Sequence, residues 1–154
     1  RREPLPLQAP ALTDRSGDVE EEAEDQDSWR ILLIDDSLSV RKFVGKMLES
    51  AGYDVETAVD GEEGLRKASA SPYRLIITDL EMPKLNGYEV IQALRERPQT
   101  KTLPILVMTT RAGEKHRQMA LSMGASGYIA KPVEERSFIQ EVGRWTGREA
   151  SAKR

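Results

Sequence analysis

The sequence contains no cysteine, so disulfides and thiolate metal sites are excluded and a reducing cytoplasm is the expected compartment. It holds one histidine, His116, whose neighbours Lys115 and Arg117 mark an exposed helix face, so His116 is expected to be structural. No apolar run approaches the roughly 18 residues of a membrane span, and no secretory signal opens the chain, so no membrane insertion is expected. Nor is the first apolar run followed by the Gly- or Ser/Thr-rich loop that would cradle a cofactor phosphate. What remains is a chain of 154 residues, 38% hydrophobic, long enough for one globular domain with a real core.

The net charge of -3 is unevenly spread. Residues 1–28 carry three basic and nine acidic side chains, a net of -6, which leaves +3 for the rest. Rich in proline and acid and without apolar periodicity, this segment reads as a disordered acidic linker, or as an acidic tail that competes for a basic face. The folded domain is expected over residues 29–147, with 148–154 a flexible tail. The chain opens on Arg1 rather than Met, from which we expect a piece of a longer polypeptide.

From Trp29 onward, short β-branched runs alternate with helical periodicity. Arg30 to Ile34 reads as a buried parallel strand. Val40, Phe43, Val44, Met47, Leu48 and Ala51 then trace one helix face, ended by Gly52. A strand over Tyr53 to Ala58 precedes a helix that Asp60 and Glu63 open as a capping box. Leu75 to Thr78 is a third strand and Tyr88 to Arg95 a third helix, stopped before Pro98. Pro104 to Met108 is the fourth strand, followed by a weaker helix around Lys115 to Met123, in which Met119 and Met123 are expected mainly in the core. Tyr128 to Ala130 is a short fifth strand, and Phe138, Ile139, Val142 and Trp145 stripe the last helix, with Gly147 its stop. Trp29 and Trp145 are expected to pack at the domain's edges. Five strand–helix units in sequence predict an α/β fold, a parallel sheet covered on both faces.

Such sheets place their chemistry at the carboxyl ends of the strands. The first strand ends in Asp35-Asp36, the third in Asp79, the fourth in Thr109-Thr110 and the fifth in Lys131-Pro132. Each feature alone has a bland explanation in a cap, a turn or a β-former, but core packing does not demand that they share one rim. Three clustered carboxylates repel one another, and a hard divalent cation relieves that repulsion. Magnesium fits, since it takes oxygen ligands and keeps positions open for phosphate oxygens. A carboxylate beside it can act as nucleophile toward a phosphoryl group, and Asp79 is the expected nucleophile.

These residues, with Ile34-Asp35-Asp36-Ser37, Thr78-Asp79-Leu80-Glu81-Met82-Pro83, Asn86-Gly87, Met108-Thr109-Thr110, Gly124-Ala125 and Tyr128-Ile129-Ala130-Lys131-Pro132, resemble the receiver domains of response regulators from about Arg30 to Gly147. The resemblance implies a CheY-like, flavodoxin-type fold: a five-stranded parallel sheet of order 2-1-3-4-5 flanked by five helices. It implies that Asp79 accepts phosphate from a histidine kinase in a two-component system, and that Asp35, Asp36, Asp79 and the Glu81 backbone carbonyl hold Mg2+. Thr109 and Lys131 would contact the phosphoryl group, Lys131 being oriented by a cis bond to Pro132. Thr109 and Tyr128 would form the switch, repacking the face of the fourth helix, fifth strand and fifth helix for a downstream protein partner. Such a domain is not an enzyme beyond its own phosphoryl transfer and dephosphorylation.

Two details bear on tuning. Thr110 is larger than the small residue often found there, and Glu81 and Arg111 either pair across the pocket mouth, which would slow phosphoryl exchange or hydrolysis, or stand solvated and unpaired. The wording around Asp36 to Lys42 and Thr110 to Arg117 resembles receivers fused to chemotaxis-type (CheA-like) hybrid histidine kinases. The receiver is therefore expected to terminate such a polypeptide, since the 22 residues after Pro132 leave no room for a DNA-binding domain and no direct nucleic-acid contact is expected. The rival readings are a magnesium-dependent phosphatase with Glu81 at the second carboxylate position, a flavodoxin-like cofactor binder and a purely structural interaction module.

Overall fold

A computed structural model describes residues 29–111 and 113–148. The acidic segment 1–28, and all of the expected tail but Arg148, lie outside the described residues. Five strands alternate with five helices: β1 (Arg30–Ile34), α1 (Leu38–Ser50), β2 (Asp54–Ala58), α2 (Gly61–Ala70), β3 (Leu75–Thr78), α3 (Gly87–Arg95), β4 (Ile105–Thr109), α4 (Glu114–Ser122), β5 (Gly127–Ala130) and α5 (Glu135–Thr146). The strands form one parallel sheet of order β2-β1-β3-β4-β5, as expected. The order reverses between β1 and β3, and their carboxyl ends open on the same rim.

The period of two along each strand divides the core into two layers. Ile31 and Leu33 of β1, Leu75 and Ile77 of β3, and Leu106 and Met108 of β4 face α1 and α5, where Val44, Met47, Leu48, Phe138 and Val142 complete the packing. The alternate residues Leu32, Ile34, Ile76, Ile105 and Val107 meet Leu65 of α2, Val90, Ile91 and Leu94 of α3, and Ala120 of α4. Because helices cover both faces, the central strands are apolar throughout rather than alternating. Trp29 and Trp145 pack against the margin of the α1–α5 layer.

Two packing expectations are corrected. Phe43 is 61% exposed, because the buried face of α1 centres on Val44, Met47 and Leu48 and Phe43 lies one step round the helix from Val44. Met119 is 49% exposed, because α4 meets the core through Ala120, its single buried residue. The turn residues behave as read. Gly52 and Gly147 take φ of 101° and 83°, the left-handed region that a side chain disfavours.

The start of α2 is a divided capping box. The Asp60 carboxylate accepts from the Glu63 amide at 2.8 Å, but Glu63 Oε1 accepts from the Val59 amide at 2.7 Å rather than from Asp60. The Val59 amide holds the Glu63 carboxyl below the ordinary carboxylate range; burial opposes this, and Lys67 and Arg66 add to it. A depressed folded value means that the stabilisation is present above the unfolded carboxylate pKa and is lost as pH falls through the folded one. Between about pH 7 and pH 3, the urea midpoint of wild type should therefore fall further than that of Glu63→Gln. Equal shifts would count against this cap.

Candidate functional site

The rim is assembled from four strand ends. Asp35 follows β1 and is fully buried, and its backbone amide continues the sheet ladder to the Ala58 carbonyl at 3.1 Å. Its Oδ1 accepts from the Ser37 amide at 2.9 Å, while Ser37 caps α1 by accepting from the Val40 amide at 3.3 Å. Arg41, one turn into α1, donates to the Asp35 backbone carbonyl at 2.8 Å. Asp36 is exposed beside it.

Asp79 follows β3 and is 6% exposed. Its Oδ1 accepts from the Leu80 amide at 2.7 Å and the Glu81 amide at 3.4 Å, and Thr78 Oγ1 donates to its backbone carbonyl at 3.0 Å. These contacts aim the second carboxylate oxygen into the rim. The following loop is closed by Gly87, whose amide donates to the Leu80 carbonyl at 3.0 Å. A Cβ at position 87 would lie 2.7 Å from Leu80 Cα and closer still to the Asp79 carbonyl oxygen. Both neighbours are backbone of the segment that presents Asp79. Gly87→Ala should therefore cost about 1–3 kcal/mol by overpacking and displace the Asp79 carboxylate, read as a lowered denaturant midpoint together with shifted Asp79 and Leu80 amide resonances.

Lys131 joins the two buried acids. Its Nζ lies 2.8 Å from Asp35 Oδ2 and 3.2 Å from Asp79 Oδ2, and the Lys131–Pro132 bond is cis. Burial works against the ammonium, but the Asp35 and Asp79 carboxylates outweigh it and hold Lys131 above the ordinary lysine value. Lys131 is anchored in turn by its amide, which donates to the Thr109 carbonyl at 2.8 Å. Thr109 is fully buried, and its hydroxyl accepts from the Arg111 amide at 3.2 Å while keeping an O–H to donate.

One oxygen from each of Asp35, Asp36 and Asp79 lies within 4.8 Å of the others. Three carboxylates face one ammonium, the donors are all hard oxygens, and one acid is solvent-accessible. That set fits a magnesium ion, which prefers such ligands and retains water. The Glu81 amide contact keeps the backbone of Glu81 beside Asp79, while its side chain turns outward.

The mouth carries contacts that are only partly visible in sequence. Glu81 pairs with Arg111, the first of the two alternatives, and Thr110 Oγ1 donates to Glu81 Oε1 at 3.3 Å. The Arg111 guanidinium holds the exposed Glu81 carboxyl below the ordinary range, with Thr110 and His116 adding to the effect. The Tyr128 hydroxyl donates to the Arg111 backbone carbonyl. His116 is half-buried, and its Nδ1 lies 3.1 Å from the Tyr88 hydroxyl, so it packs between α3 and α4 rather than standing on a free helix face. Arg41, Thr78 and His116 have no sequence signature in these roles, because their partners are set by the tertiary fold.

A doubly wound parallel sheet with an acidic pocket, a half-buried lysine and a buried hydroxyl at its switch point defines a narrow class of proteins. Residues 31–143 match the sequence model of the response regulator receiver domain, and the chain belongs to that family, whose place is in two-component signalling. It is 41% identical over 113 residues to the alkaline phosphatase synthesis transcriptional regulatory protein PhoP of Bacillus subtilis, covering 73% of this chain and 46% of that protein. The chain thus spans about half the length of such curated regulators. Among solved structures, the chemotaxis protein CheY4 of Vibrio cholerae matches with a TM-score of 0.72 and 38% identity, over 75% of this chain and 96% of that one. The receiver domain of a sensor histidine kinase from Pseudomonas aeruginosa, with magnesium coordinated in its active-site cleft, matches with a TM-score of 0.73 and 30% identity, over 77% of this chain and 98% of that one. Among the described residues, no helix is long and apolar enough to cross a membrane.

Proposed function

We propose that the domain takes a phosphoryl group from the phosphohistidine of a kinase onto Asp79 and changes its surface in response. The observation that carries this reading is the Lys131 ammonium bridging Asp35 and Asp79 inside a three-carboxylate cluster at the strand ends. An Asp79 carboxylate oxygen would form the new P–O bond as the donor's P–N bond breaks, its electron pair leaving with the imidazole. Asp35, Asp36, Asp79 and the Glu81 carbonyl would hold Mg2+, which when bound supplies positive charge against the phosphoryl oxygens. Lys131 turns part of its charge from the carboxylates to the phosphoryl group, and Thr109 donates to one of its oxygens.

The adduct brings roughly -1.5 to -2 charge to a nearly dry spot. Drawing Thr109 and Lys131 toward it vacates space for Tyr128, whose hydroxyl contact with the Arg111 carbonyl links the β4–α4 loop to β5. Moving such an equilibrium from 1:99 to 99:1 takes about 5.5 kcal/mol of differential interaction, which several charge-assisted hydrogen bonds can supply. The α4–β5–α5 face then receives a downstream protein. On this reading the domain catalyses only its own phosphorylation and dephosphorylation. A chemotaxis-type (CheA-like) kinase, in the same polypeptide or apart, is the finer partner assignment; the likeness to CheY4 and to the receiver of a sensor kinase supports it.

Incubation with acetyl phosphate should add the mass of one phosphoryl group in the presence of Mg2+ and none in chelator. Steady release of phosphate from unrelated phosphoesters would instead favour a phosphatase. Opening the mouth with Arg111→Ala should speed adduct decay several-fold in a mass-resolved time course, because it frees Glu81 and the approach of water. An unchanged lifetime would leave the Glu81–Arg111 pair without a gating role.

A further inference from the structure

Helix α1 turns a basic strip to solvent. Arg41, Lys42 and Lys46 line an open groove of about 360 Å³ against Val55 and Thr57 of the edge strand β2, with Glu49 the one acidic side chain in it. Lys42 and Lys46 are exposed, and among the described residues neither has an ion-pair partner, whereas Arg30, Lys67, Lys84 and Lys131 all do. Directly before Trp29 the sequence carries Glu20, Glu21, Glu22, Glu24, Asp25 and Asp27 within eight residues.

We infer that this acidic segment, residues 20–27, docks on the basic α1 groove of its own domain. The chain reaches the fold at the lower end of α1, where the Trp29 carbonyl accepts from the Asp54 amide at 3.0 Å and the Trp29 ring meets Tyr53. From Ser50 up to Lys42 the helix rises only about 12 Å. Eight extended residues span up to about 26 Å, so the acidic run covers that distance without strain. Tethering this close raises the effective concentration of the segment to the millimolar range, so weak pairing is enough to populate the contact. Arg41 lines this groove and also donates to the Asp35 backbone carbonyl, which ties the upper end of the groove to the loop that carries the first two acids.

The absence of cysteine permits a clean test in the full chain. A nitroxide on Ala23→Cys should broaden the amide resonances of residues 41–49 selectively at low salt. Near 1 M NaCl, where the screening length falls to about 3 Å, and in the Lys42→Glu/Lys46→Glu variant, the broadening should be lost at residues 41–46 and persist only at the amides closest to Trp29, as for a merely tethered chain. A Lys42→Gln/Lys46→Gln pair, with circular dichroism as a check on folding, should give an intermediate loss. Uniform broadening, broadening centred on another face, or a pattern indifferent to these charges would overturn the assignment. So would broadening of an isotope-labelled, label-free copy mixed with an unlabelled nitroxide copy, which would place the segment of one molecule on another.

Discussion

Asp79→Asn is expected to abolish phosphoryl uptake, lowering the rate of adduct formation by at least about 10³-fold, the scale set by removing a nucleophile. The amide cannot carry the charge that attacks phosphorus, and no other carboxylate takes over in the same geometry. Asp35 is held by the Ser37 amide, by Lys131 and by full burial, and Asp36 stands at the exposed side of the cluster. The fold should survive the change. Asparagine keeps an acceptor for the Leu80 amide and relieves repulsion among three acids, at the cost of an N–H facing the Lys131 ammonium. Circular dichroism and a urea melt separate the two effects; full adduct formation by the folded variant would remove Asp79 from the mechanism.

Lys131→Met is expected to be the most destabilising single change at the rim. The side chain is 14% exposed, and its ammonium is the only cation within ion-pairing distance of Asp35 and Asp79 among the described residues. Methionine keeps the length of the stem but leaves two buried carboxylates facing each other. Stranding buried charge in this way costs about 3–5 kcal/mol. Added Mg2+ should recover part of the loss, since a ligand at a hundredfold its dissociation constant contributes about 2.7 kcal/mol and the more negative pocket of the variant binds a cation more tightly. Chemical denaturation in chelator and in millimolar Mg2+ measures both quantities. A variant as stable as wild type in chelator would show that the acids do not depend on the lysine.

Much of this was legible in the sequence because the signals were redundant. The apolar runs of β1, β3 and β4 admit no alternation, as strands covered on both faces must, and each is followed by a polar residue that burial alone would not select. Strand order and the common rim followed from the repeated strand–helix unit and from family resemblance. The misreadings fall where one apolar residue stands beside a stripe. Phe43 follows the helical period closely enough to join the α1 face in a pattern, yet one step of rotation carries it into solvent. In α4, where only Ala120 is buried, the pattern is too weak to place Met119. The contacts of His116 with Tyr88, and of Arg41 with the Asp35 carbonyl, depend on how α3, α4 and α1 settle on the sheet. Local periodicity cannot report such distances.

If Asp79 accepts the phosphoryl group, one particular carboxylate becomes an acyl phosphate, and borohydride trapping detects that bond where it forms. Hydride reduces an aspartyl phosphate to homoserine, releasing phosphate and marking the acceptor for peptide sequencing by mass spectrometry. After treatment with acetyl phosphate and Mg2+, homoserine is expected at position 79 in wild type and nowhere in Asp79→Asn. Homoserine at Asp35, Asp36 or any other aspartate, or none anywhere despite a phosphoryl mass increment, would contradict phosphorylation at Asp79.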